Sequence, residues 1–322
     1  MITLLARSYA NERDLQPIAD LLNTCEAIDR EENYYSTIEL QQQVTSPDCN
    51  PDRDLRLWYD NSGQLIAFGQ LWIPSSALNT AGQVDSSLWF RVHPDFRCQG
   101  LEAEIITWAE AVLRDVAADG VPLKLLTPCR SQQQHSRTLL EQHGFTIERQ
   151  FSRMRRSLHE PIPLLQLPNG FTLKTGTEFD FAAWVEMFNQ TFVDHWNFHP
   201  LTIEEFKHEI LNDPRYRPDL DLAAVAADGT YAAFCYGWID PETNQQQNRL
   251  EGHISALGTR REFRRLGLGR AMLLAALRRL KAAGMEIASL NVDEQNSNQA
   301  QQLYHSVGFR PHHTTLHYSK CL

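Results

Sequence analysis

The run Leu257-Gly258-Thr259-Arg260-Arg261-Glu262-Phe263-Arg264-Arg265-Leu266-Gly267-Leu268-Gly269-Arg270 carries the sharpest chemical signal in the chain. A strand-like stretch, Gly252–Thr259, leads into it. Leu273, Leu277 and Leu280 then recur at helical spacing, and Gly284 supplies a stop. Gly267 and Gly269 let backbone amides approach a ligand with no Cβ in the way, and a helix start adds unpaired N–H groups at its positive end. Such a turn suits a pyrophosphate, and Arg264, Arg265 and Arg270 add positive charge. A P-loop would need Lys-Ser or Lys-Thr after the glycines, and a dinucleotide fingerprint would need a small residue at Met272; neither is present. The plain alternative is a structural strand–helix turn with surface arginines.

A second segment lies downstream: Asn291-Val292-Asp293-Glu294-Gln295-Asn296, then Ala300-Gln301-Gln302-Leu303-Tyr304-His305-Ser306-Val307-Gly308-Phe309. In order and spacing the two segments together resemble the GNAT superfamily of N-acetyltransferases, whose motifs are Q/R-x-x-G-x-G/A and N…A-x-x-L-Y-x-x-x-G-F. The resemblance implies acetyl-CoA as co-substrate, with no metal. It places the cofactor on Leu257, Gly258, Thr259, Arg264, Arg265, Leu266, Gly267, Leu268, Gly269, Arg270, Asn291 and Asn296. It also makes Tyr304 the general acid toward the leaving thiolate, since a tyrosine pKa of ~10 lies close to that of a thiol. The alternative for Tyr304 is a packing aromatic on a helix whose Ala300, Leu303 and Val307 face the core.

The base is less sharply marked. Glu251, His253 and Ser255 alternate, so on a regular strand all three share one face. His253 aligns with a position that holds a glutamate base in some members of the family, and with an ordinary pKa of ~6.5 it can accept a proton near neutrality. An acceptor amine is expected against Asp194 and Trp196, in an aromatic and polar run, and against Tyr236 and Trp238. Any one of these is equally well a packing residue. His195 and His199 form an i, i+4 pair, but the adjacent Pro200 and the lack of a third ligand nearby argue against a metal.

These residues must be positioned by a fold that occurs twice. Gly144-Phe145 returns as Gly308-Phe309, 164 positions later (308 − 144), and Arg97…Gly100 returns as Arg264…Gly267, 167 later (267 − 100). The turn at Gly63 matches the one at Gly229, 166 later (229 − 63). Each half reads as strand, helices, hairpin, a fourth strand, a long helix, a strand, a short helix and a last strand. The expectation is an α/β (α+β) chain of two tandem GNAT-like domains, each a mixed, mostly antiparallel sheet flanked by helices. The expected limits are 1–157, a proline-rich connector at 158–170, and 171–322. The tandem layout is similar to that of the mycothiol synthase family.

The first half departs from the motif. Its turn reads Arg97-Cys98-Gln99-Gly100-Leu101-Glu102, with a glutamate at the place of the last glycine, and Leu140 holds the tyrosine position. A carboxylate beside a phosphate is costly, so this half is expected to have lost catalysis. With 322 residues, 42% of them hydrophobic, there is material for two cores. A net charge of −10 argues against a nucleic-acid surface. The six cysteines form no C-x-x-C pair, and no stretch is apolar enough to span a bilayer. The expectation is therefore a cytoplasmic enzyme, with no membrane or nucleic-acid partner, that acetylates the primary amine of a small molecule in a ternary complex. The alternatives are a non-catalytic acyl-CoA-binding regulatory module and a protein or peptide N-terminal acetyltransferase.

Overall fold

The computed structural model describes residues 5–74, 82–117, 120–196, 198–213, 215–296 and 300–322. The chain runs through β1 (Leu5–Ser8), α1 (Leu15–Asp29), α2 (Thr37–Val44), α3 (Pro51–Asp54), β2 (Leu55–Tyr59), β3 (Leu65–Trp72), β4 (Val84–Val92), α4 (Leu101–Val116), β5 (Leu123–Arg130), α5 (Gln134–Gln142) and β6 (Thr146–Ser157). It continues through β7 (Phe171–Thr175), α6 (Phe181–Phe192), α7 (Ile203–Phe206), β8 (Asp221–Ala226), β9 (Tyr231–Ile239), α8 (Pro241–Gln246), β10 (Glu251–Thr259), α9 (Leu268–Ala282), β11 (Ile287–Asp293), α10 (Ala300–Ser306) and β12 (Arg310–Cys321). Among the described residues no helix is long and apolar enough to cross a membrane.

Two compact units result: residues 1–148 with 316–322, and residues 149–315. In the first, β1, β2, β3 and β4 pair antiparallel in succession and β4 pairs with β5 in parallel. In the second, β7, β8, β9 and β10 pair antiparallel and β10 pairs with β11 in parallel. The same ladder is thus built twice, each time mixed, mostly antiparallel and flanked by helices.

The units do not follow the contiguous limits expected from sequence. Residues Phe151–Ser157 of β6 pair antiparallel with all of β11, inside the second unit. Leu316–Leu322 belong to the first unit, where the Leu322 N–H donates to the Leu123 carbonyl (3.0 Å) and the Tyr318 hydroxyl donates to Glu141 (2.9 Å). A sheet edge presents unpaired N–H and C=O groups, and these segments satisfy them. Nor is 158–170 a free spacer. Ile162, Leu165 and Leu167 pack on the core of the second unit, and the carbonyls of Pro161 and Pro163 accept from Arg156 and Arg278.

Two elements matter most for chemistry. Helix α9 presents Leu273 and Leu277, both wholly buried, to the core, and each such leucine contributes about 1.5–3 kcal/mol on burial. That packing fixes the position of the helix's amino end. Strands β10 and β11 keep register only over Glu251–Ile254 against Ile287–Leu290, although both strands continue further. Beyond that point β10 follows β9 alone, after a bulge between Ile254 and Ala256. A cleft opens between two strands that part company.

Candidate active site

A pocket of about 540 Å³ occupies this cleft in the second unit. Leu257, Gly258 and Thr259 of β10 line one wall and Asp293 of β11 another. The turn before α9 forms the floor. Arg265 there has φ +65° and Gly267 φ +89°, left-handed conformations that glycine adopts at no cost and other residues adopt reluctantly. Gly267 is the N-cap of α9 and has no side chain to accept from the first turn, so the helix's initial N–H groups remain available to a ligand. Arg264 is braced by its Nε on the Thr259 carbonyl (3.2 Å) and Arg270 by its Nη1 on the Ser306 hydroxyl (2.7 Å). Both arginines line the pocket, with Arg265, Gly269 and Asn296. The backbone and guanidinium donors together make an anion cradle.

Tyr304 reaches the same pocket from α10. It is 8% exposed, and its ring lies edge-on to Phe309 at 6.0 Å. Burial pushes its hydroxyl pKa well above the ordinary tyrosine value, with Cys235 adding to the shift, so the group is protonated at neutral pH, as a donor must be.

Not every expected residue lies here. Leu266 is 51% exposed and, like Asn291, is outside the pocket lining. Asp194 and Trp196 do line it, but Asp194 is ion-paired with Arg261 and the Trp196 ring rests against Phe151 at 5.8 Å. His195 Nδ1 is 2.9 Å from the Trp196 carbonyl, and among the described residues no His, Cys, Asp or Glu group of three or more could hold a metal. Tyr236 and Trp238 are away from the pocket. Tyr236 lies 6.4 Å from the Tyr216 ring, and Trp238 meets His253 at 5.9 Å.

His253, Glu251 and Ser289 form a relay on the sheet face next to the cleft. The expected alternation of Glu251, His253 and Ser255 fails at Ser255, because the bulge falls there. The Ser289 hydroxyl donates to Glu251 Oε1 (2.6 Å) and accepts from Arg153 Nη2 (2.9 Å). His253 Nδ1 is 3.2 Å from the same oxygen. Ser289 has one proton and it is committed to Glu251, so His253 must donate through Nδ1, which leaves the Nε2 lone pair free. Burial, and then the charge of Arg153, hold the imidazole pKa well below its usual value, so it is neutral at pH 7.

Glu251, expected as a possible base, is not placed to be one. Its side chain is 4% exposed and ion-paired with Arg153 (2.7 Å), Arg155 (2.8 Å) and Arg249 (3.4 Å). Burial raises its pKa, but the Ser289 hydrogen bond and Arg153 outweigh that and hold it below the ordinary glutamate value. It orients His253 through Ser289. Sequence reasoning missed Ser289, Arg153 and the pocket residues Arg149, Thr191 and Gln295. Gln295 lies inside the second motif segment without having been singled out, Ser289 falls just before it, and the others are distant in sequence from both motif segments.

The equivalent place in the first unit is filled. Cys98 has φ +62° and Gly100 φ +95°, and the Arg97 Nε is braced on the Val92 carbonyl (3.1 Å), so the turn has the same shape. Glu102, 5% exposed, accepts from the Cys98 N–H (3.2 Å), standing where an anion would be received. Arg97 is held by Asp29 in two bonds of 2.7 Å. The cavity left there measures about 60 Å³.

An anion cradle at a helix start, facing a cleft between splayed strands, defines an enzyme that handles a phosphate-bearing donor. The description "Acetyltransferase (GNAT) family" matches residues 181–309. The mycothiol acetyltransferase of Thermobispora bispora is 32% identical over 219 residues, covering 68% of this chain and 70% of that protein. A GCN5-related N-acetyltransferase from Sphaerobacter thermophilus superposes with a TM-score of 0.74 at 23% identity, over 99% of this chain and 95% of that one. A tandem GNAT protein from the clavulanic acid biosynthesis pathway gives 0.71 at 14% identity, over 99% and 98%. The chain belongs to the GNAT family of acetyltransferases and is an N-acetyltransferase.

Proposed function

We propose that the protein transfers an acetyl group from acetyl-CoA to the primary amine of a small molecule, by direct attack within a ternary complex. The observation that carries this reading is one continuous pocket joining the uncapped start of α9, its three arginines, the stretch of β10 that has parted from β11, and Tyr304. The pyrophosphate is received at Gly267–Arg270. The thioester carbonyl accepts from a β10 backbone N–H near Leu257 and Thr259, a donor aimed at the developing oxyanion. The amine nitrogen forms a bond to the carbonyl carbon as the carbon–sulfur bond breaks. Its proton passes to His253 Nε2, directly or through one water, and Tyr304 supplies a proton to the departing sulfur.

The first unit, with Glu102 in its cradle and Leu140 at the tyrosine position, is non-catalytic in this reading. The relatives named mycothiol acetyltransferase lend the acceptor's class, a small molecule, and nothing finer is carried over. Release of free thiol from acetyl-CoA, followed across a panel of small primary amines, tests the proposal. Turnover with at least one of them is expected. Tight CoA binding with no thiol release for any amine, or release only with peptide amino termini, would overturn it.

A further inference from the structure

Beside His253 stands a cation whose charge is poorly compensated. Arg153 projects from β6 onto the same sheet face, with 22% of its side chain exposed. Its Nη2 donates to Glu251 Oε1 and to Ser289, while its Nε is buried and has no hydrogen-bond partner among the described residues. Among the described residues Glu251 is its ion-pair partner, and that carboxylate also meets Arg155 and Arg249. Arg153 thus shares its carboxylate with two other guanidiniums, and one of its own buried donors stays unmet. Desolvation, reinforced by Arg155 and Arg249, outweighs the help from Glu251 and holds the Arg153 pKa below the usual arginine value. A half-buried cation in that position is costly unless a further anion reaches it.

The arrangement is unusual for a site that deprotonates an amine. Burial, and then the field of Arg153, weaken the lone pair at His253 Nε2. Among the described residues, the remaining groups facing His253 are Ser289 on β11, Glu251 on its own strand, Arg155 on β6, and Trp238 on β9, which carries Arg215 over its ring at 5.3 Å. Arg215 is itself paired with Asp213 (2.8 Å) and Asp240 (3.5 Å). Arg153 is therefore the charge that an incoming ligand can most readily offset.

We propose that the acceptor amine carries an anionic group, a carboxylate or a phosphate, which Arg153 receives while the amine nitrogen lies at His253 Nε2. This rests on the acetyl-transfer reading of the site and sharpens it to amines that bear an oxyanion a few bonds from the nitrogen. The ligand then does two things. It fills the fork of Arg153 with charge-assisted hydrogen bonds, and it offsets the Arg153 field that adds to burial in weakening His253 as a base. A neutral amine would occupy the same face and leave that field in place.

The test needs no turnover. The His253 imidazole is titrated by NMR in the full chain, assigned against His253→Gln, with and without saturating sodium phosphate or sodium acetate. The expected result is a rise of about one pKa unit with the anion, a tenfold gain in proton affinity. That rise is lost in Arg153→Gln and retained, at weaker anion affinity, in Arg153→Lys, which keeps the ion pair should the glutamine variant fail to fold. No rise in the wild type, or an equal rise in Arg153→Gln, overturns the proposal.

Paired acceptors then read the consequence: 4-aminobutyrate against butylamine, and phosphoethanolamine against ethanolamine. The anionic member should have a kcat/KM about 10–100-fold higher, the usual worth of a hydrogen bond to a charged group. The pair with the larger ratio identifies carboxylate or phosphate as the natural group, and a preference for the uncharged amines overturns the proposal. If no amine is acetylated while phosphate still moves His253 through Arg153, the acetyl-transfer reading fails and the anion site stands.

Discussion

Tyr304 has a double identity, as a buried ring packed against Phe309 and as a hydroxyl in the pocket. Tyr304→Phe separates the two. The ring and its burial are kept, so the melting temperature should hardly move. CoA affinity should also hold, because the pyrophosphate contacts lie on the α9 turn. Turnover should fall by about 10²–10⁴-fold, which is the worth of a positioned acid. Wild-type turnover in the variant would assign thiolate release to water or another side chain. The same distinction applies on the sheet face. His253 has the free lone pair, and Glu251 supplies orientation through one shared serine hydroxyl.

The turn before α9 works as an element. A Cβ at Gly269 would meet only Thr259 Oγ1 at 3.6 Å and Leu303 at 3.7 Å, both ordinary contacts. Gly269→Glu should therefore fold, and it recreates at the second turn what Glu102 does at the first. CoA binding measured by calorimetry should drop at least about 100-fold, as expected for a carboxylate set against the pyrophosphate in a partly desolvated cradle. Unchanged affinity would place the pyrophosphate elsewhere.

Helix α6 is tied to β8 through another buried acid. Asp221 is fully buried and accepts from Trp184 Nε1 (3.2 Å) and the Tyr216 hydroxyl (3.1 Å). Burial raises its pKa to about 7, against the pull of those two hydrogen bonds. In the unfolded chain the value is ~3.9, so between the two the folded state holds the extra proton. The stability contributed by Asp221 is complete below pH ~4 and is lost as pH rises through about 7. The urea midpoint of the wild type should decline across that window relative to Asp221→Asn. Parallel curves for the two proteins would refute the assignment.

The glycine–arginine turn, the Leu-Tyr helix and the hairpins were legible in sequence because each is specified by neighbours within a few positions. The relay was not. Arg153 and Glu251 are 98 residues apart and meet only through strand register. The bulge that removes Ser255 from the face of His253 carries no local mark, since its cause lies in the pairing partner.

At the scale of the whole molecule, duplication has produced two cradles of one shape, one open and one occupied by its own glutamate. Titration of the full chain with CoA should give one site per chain, and two equivalent sites would refute the reading of the first unit. The sequence pattern showed that there are two halves, but it gave no sign of where each half obtains its last strand. Proline-rich 158–170 looked like a boundary by composition, yet its apolar side chains lie on the second core. Strand partnership is a long-range choice that composition does not record.

That choice also sets a timetable. Residues 1–148 leave the ribosome first, but the strand they need, 316–322, is made only after all of 149–315. At about 5–20 residues per second the wait is on the order of 10–30 s. Throughout that interval the nascent first unit presents the bare edge of β5, with the Leu123 carbonyl unbonded and Glu110 and Glu141 without Lys320 and Tyr318. An exposed edge is a template for pairing with another chain. Crowded polysomes would therefore bring unfinished copies together at this edge, and slower synthesis would lengthen the exposure.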